Sequence, residues 1–65
     1  MATAELKKSK GKKVFLSWRN DDDVVISGYV TLYKISSTLV KFQRGYDVIT
    51  LPVSRILKMK ENAND

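Results

Sequence analysis

The sequence contains no cysteine and no histidine. The missing cysteine excludes disulfides and thiolate zinc sites, and the missing histidine removes the other main zinc ligand. A small domain without either staple must rely on compact packing, on self-assembly, or on both. Catalytic chemistry is impoverished for the same reason. Acid–base work would fall to carboxylates or lysine, and no pair of these is set in an apolar context. There is no glycine-rich phosphate loop, no internal repeat and no low-complexity segment. We therefore expect a binding protein rather than an enzyme, with no cofactor and no metal. No apolar run approaches the roughly 20 residues of a membrane span, and no signal-peptide pattern is present. The expectation is a cytoplasmic protein without membrane contact, although a lack of cysteine suits any compartment.

Sixty-five residues allow one domain. A chain this short buries only about 60% of the surface that its unfolded form exposes, so its core is thin. The 43% apolar and 29% charged fractions are those of a folded chain. The net charge of +5 is uneven: residues 1–13 hold five lysines against Glu5, a balance of +4, and the rest is nearly neutral. Lys7, Lys8, Lys10, Lys12 and Lys13 form a basic arm suited to gripping the phosphates of a nucleic acid, or else a merely solubilising segment.

Residues 1–12 are read as a basic N-terminal tail or a short helix over Thr3–Lys8 with Thr3 as N-cap, ended by Ser9-Lys10-Gly11. Five strands follow, at Lys13–Arg19, Val24–Tyr33, Thr38–Gln43, Val48–Leu51 and Arg55–Lys60. The turns are Asn20–Asp23, Ser36-Ser37 and Arg44–Asp47, and Pro52 interrupts between the last two strands. Residues 13–61 form the domain, and residues 62–65 are expected to fray. The fold class is all-β, a small five-stranded barrel or sandwich. Gly28 within the second strand marks a sharp bend or a close backbone approach. Phe15 and Trp18 lie on opposite faces of the first strand, with Trp18 expected in the core. Leu39, Phe42, Val48, Ile49, Leu51, Val53, Ile56 and Leu57 exceed what one inner face needs, so some must lie outside. Asp21-Asp22-Asp23 lacks the spaced ligands and glycine of a calcium loop and reads as a hairpin turn. Arg44 and Arg55 are candidates for RNA contact or for pairing with Asp47. Tyr29, Tyr33 and Tyr46 are either stacking platforms or ordinary strand residues.

From Gly28 to Lys58 the chain resembles the Sm-like family of RNA-binding ring proteins, Hfq-type members included. The pattern is G-Y-V-x2-Y-x5-L-V-K-F, a turn, then V-I-T-L-P-V-S-R-I-L. The resemblance spans about residues 14–60 and implies a strongly bent Sm-like barrel. It further implies a homo-oligomeric ring of five to seven subunits, built by pairing strand four of one copy with strand five of the next. The implied ligand is single-stranded RNA, bound by the loops after strands two and four. By position these loops supply Lys34, Ser36, Thr38 and Thr50. The chain departs from the family there. Lys34 stands where an acid is usual, Ser36 where an aromatic stacks, and Thr38 where the Sm proteins carry asparagine. Thr50 and Leu51 stand where Hfq-type proteins carry basic residues and histidine. Stacking and base reading are weakened, and Lys34 offers a phosphate contact instead. The alternatives are a barrel serving as a protein-interaction or scaffold module, and a monomeric DNA-binding barrel.

Overall fold

The computed structural model describes residues 3–61. The expected fraying of residues 62–65 lies outside them. A short helix, α1 (Thr3–Lys8), precedes five strands: β1 (Lys13–Arg19), β2 (Val25–Ile35), β3 (Leu39–Arg44), β4 (Asp47–Pro52) and β5 (Ile56–Glu61). They form one antiparallel sheet in the order β4-β3-β2-β1-β5. The fold is therefore small and all-β, with one short helix.

Alternation in β1 drives the packing. Val14, Leu16 and Trp18 are buried, whereas Phe15 and Ser17 are half-buried on the other face. β2 is the shared strand. It pairs with all of β1 from Val25 to Thr31, and with β3 from Thr31 to Ile35. The register slips between Leu32 and Lys34, leaving Tyr33 as the extra residue of a bulge. This irregularity lies downstream of Gly28. A Cβ at Gly28 would meet only the flexible Arg44 Nε at 3.7 Å, an ordinary contact. The expected close backbone approach at Gly28 is therefore absent, and the bulge marks the change of partner.

The sheet curls until its ends share one core. Trp18 of β1 meets Phe42 of β3 edge to face, with centroids 4.9 Å apart, although β2 lies between their strands. Leu51 of β4 and Ile56 of β5 join the same cluster with Val14, Leu16, Val30, Leu32 and Val40. Of the apolar excess near the C-terminus, Leu39, Val48 and Leu57 are exposed. Among the described residues, β4 and β5 each have one strand neighbour, so both present an edge that no described strand pairs.

The basic segment is no loose tail. Leu6 is wholly buried in the core. Ser9, also wholly buried, donates through Oγ to Glu61 Oε1 at 3.2 Å. Gly11, with φ +81, donates from its amide to the Leu32 carbonyl, and the Leu32 amide donates to the Lys12 carbonyl. Thr3 is the first helical residue rather than the one before the helix.

Several boundaries move. Pro52 ends β4 opposite Leu39 instead of interrupting, which an edge strand tolerates because no partner needs its missing N–H. A single 3-10 turn, Val53–Arg55, follows it and delays β5 to Ile56. The Val53 amide donates to the Thr38 carbonyl at 2.8 Å, tying this turn to the β2–β3 loop. Arg44 stands opposite Asp47 in the β3–β4 register, but among the described residues neither arginine forms an ion pair with Asp47. Arg55 binds Asp21 at 2.9 Å, and the Arg44 guanidinium lies 5.9 Å from the Trp18 ring centre. The three aspartates do form a turn, in which Asn20 Oδ1 accepts from the amides of Asp22 and Val24.

Two substitutions test this packing. Leu6→Ala should lower unfolding free energy by about 2–5 kcal/mol in urea titration, as a buried leucine does. An unchanged midpoint would show that the helix does not dock. Gly28→Ala should change stability by less than about 1 kcal/mol, since strand glycine is itself unfavourable. Gly45→Ala, at φ +60, should destabilise more.

Candidate nucleic-acid interface

The bulge at Tyr33 decides which residues share the outward face. Lys34 of β2 stands directly opposite Lys41 of β3, and Lys41 directly opposite Thr50 of β4. All three are exposed, with Val40 and Phe42 turned into the core between them. A cleft of about 290 Å³ opens here, lined by Lys34, Ser36, Leu39, Lys41 and Thr50. Among the described residues, no carboxylate lines it. The ion pairs among the described residues join Arg19 to Asp23 and Arg55 to Asp21, so neither cleft lysine is neutralised by one.

Like charges directly opposite across two strands repel, at a cost of about 0.2–1 kcal/mol. Two lysines sharing one face with a threonine hydroxyl are suited to an anion, and a phosphate would relieve the repulsion. Leu39, 47% exposed, supplies an apolar wall beside the charges. A nucleotide presents this same combination of charge and flat apolar surface.

The other expected residues separate. The Ser36 hydroxyl organises its own loop, accepting from the amides of Leu39 (2.9 Å) and Thr38 (3.3 Å) and donating to the Leu39 carbonyl (3.3 Å). Its place in the cleft is therefore as a wall and loop former. Thr38 does not line the cleft; its carbonyl holds Val53. Lys7, Lys8, Lys10, Lys12 and Lys13 are all exposed. The Gly11–Lys12 backbone is bonded to Leu32, two residues before Lys34, so part of the basic segment runs beside the same strand. Lys13 sits apart, with Nζ 5.8 Å from the Tyr29 ring centre. Lys41 is the residue that sequence reasoning missed. Alternation of Leu39, Lys41 and Gln43 against Val40 and Phe42 puts it outward, but its pairing with Lys34 depends on the bulge.

Compared with protein-family models, curated proteins and solved structures, the chain matches none.

The lysine row carries a measurable trade-off. Lys41→Gln should raise unfolding free energy by about 0.2–1 kcal/mol by removing the repulsion, while weakening binding of a polyanion. Loss of stability on this substitution would show that the two lysines do not face each other.

Proposed function

We propose that the chain is a divergent Sm-like subunit that assembles into a homo-oligomeric ring and binds single-stranded RNA. The observation that carries this reading is convergence. Lys34, Ser36 and Thr50, which the family pattern assigns to RNA from two separate loops, line one cleft together with Lys41, with no carboxylate among the described residues that line it. Assembly has its own support in the unpaired edges of β4 and β5, joined by a single 3-10 turn. Such edges on a monomer invite uncontrolled pairing. Pairing β4 of one copy with β5 of the next satisfies both, and a rotation that closes gives a ring.

In this reading RNA is held mainly by charge. The cleft lysines and the basic segment take phosphates, and Leu39 and Thr50 contact sugar or base. Sequence preference is weak, because no aromatic stands in the cleft to stack a base. The protein acts as an RNA chaperone or in RNA metabolism, in the cytoplasm, without catalysis. No helix among the described residues is long and apolar enough to cross a membrane.

Light scattering coupled to size exclusion, at two salt concentrations, tests the assembly. A discrete species of five to seven subunits is expected at both, and a monomer at both overturns the ring. Filter binding with U-rich and A-rich oligomers tests the ligand. Binding should weaken with salt, log K falling by about 0.7 per phosphate contact for each unit of log salt. No binding at micromolar protein and low salt would rule out the RNA reading.

A further inference from the structure

The β2 bulge sets Lys34 opposite Lys41, and Tyr33 is its extra residue. Before it, Thr31 and Leu32 pair with Gln43 and Phe42; after it, Lys34 and Ile35 pair with Lys41 and Val40. Without the slip, the same chain would put Tyr33 opposite Lys41 and Lys34 opposite Val40, which is wholly buried in the core. A bulge interrupts the ladder and leaves its extra residue without a backbone partner. Side chains supply a tie here. The Tyr33 hydroxyl donates to Gln43 Oε1. Gln43 is held in turn, its Nε2 donating to the Gly45 carbonyl at 3.0 Å. Gly45, at φ +60, belongs to the turn between β3 and β4. The bulge on β2 is thus tied across β3 to the turn that leads into β4, the strand that carries Thr50. Neither Tyr33 nor Gln43 lines the cleft.

We propose that Tyr33 and Gln43 are positioning residues for the cleft: their hydrogen bond pins the bulge, and the pinned bulge presents Lys34 beside Lys41 to a phosphate. Tyr33, 43% exposed, acts through its hydroxyl and not as a stacking ring. The two lysines repel each other across the strands, so their face-to-face arrangement needs a restraint that they do not supply themselves. A restraint already in place also spares binding the cost of ordering this stretch of β2 when the phosphate arrives. The inference rests on the reading of the cleft as a nucleic-acid site, and gives a role in it to two residues outside its walls.

The test is fluorescence anisotropy of labelled U-rich RNA with the full chain, over a range of salt. The variants are Tyr33→Phe, Gln43→Met, Lys34→Gln, the double substitution Y33F/K34Q, and a chain from which Tyr33 is deleted. Tyr33→Phe removes one exposed hydroxyl and keeps the ring, so it leaves the fold intact. It should weaken binding about 2- to 10-fold, the equivalent of one hydrogen bond, and reduce the salt slope by up to about 0.7. Gln43→Met removes the other partner and should do the same. Y33F/K34Q should bind no more weakly than Lys34→Gln alone, because the hydroxyl acts through Lys34. Deletion of Tyr33 brings Lys34 opposite Lys41 by regular alternation, with no bulge to pin, so a folded deletion chain should bind within about twofold of the parent. Parental affinity in Tyr33→Phe overturns the proposal and leaves the cleft standing. Additive losses in Y33F/K34Q, or loss of binding by a folded deletion chain, show a direct contact of Tyr33 with the RNA and overturn it as well. Parental affinity in Lys34→Gln, or no binding by the parent chain, overturns the cleft reading and this inference with it.

Discussion

The contact between Trp18 and Phe42 holds the rest of the structure in place. Their strands are not neighbours, so the rings can meet only if the sheet curls around β2. An edge-to-face aromatic pair adds about 0.5–1.5 kcal/mol beyond burial, a large increment for so thin a core. The curl also lets the two sheet edges contribute to a common interior, Leu51 from β4 and Ile56 from β5. With the inner face committed, every outward residue is free for charge. The lysine row lies on that outer side.

Much of the architecture was legible because side-chain alternation is a local signal. In K-V-F-L-S-W-R every second residue is buried, and β1 has the span expected of it. The N-terminal helix span and the turns at Asn20–Asp23 and Arg44–Asp47 were readable from local chemistry too. Docking of the basic segment was not legible. It depends on Leu6, one apolar side chain in a polar stretch, and on backbone bonds to Leu32. The arginine partners depended on the curl, which brings Arg55 to Asp21 across 34 positions. Within the cleft, Lys34, Ser36 and Thr50 were found by family pattern, whereas Thr38 was drawn into holding Val53. Lys41 needed the register, which no local pattern fixes.

Electrostatics and packing pull against each other here. A chain without disulfides or a zinc site has little stability to spare, yet it sets two lysines face to face. The basic segment adds further positive charge beside the same strand. The cost is partly offset where that segment enters the core through Leu6. Charge for binding and burial for stability thus come from neighbouring residues of one segment, Leu6 facing in while Lys7 and Lys8 face out.

The single extra residue at Tyr33 has a consequence for how this chain can change. Alternation makes each strand a two-phase code, and the bulge resets its phase. It allows Leu32 to face inward and Lys34 outward opposite Lys41, although an intervening residue would ordinarily return position 34 to the inner side. Loss of Tyr33 would place Lys34 directly after Leu32, on the opposite face by ordinary alternation, so the inside and outside of β2 would be kept and only the bulge lost. Loss of Tyr33 and Lys34 together would place Ile35 directly after Leu32 and turn it from the inner face to the outer one. The lysine row therefore tolerates loss of the bulged residue, which regular alternation replaces, but not a further change of one residue beside it.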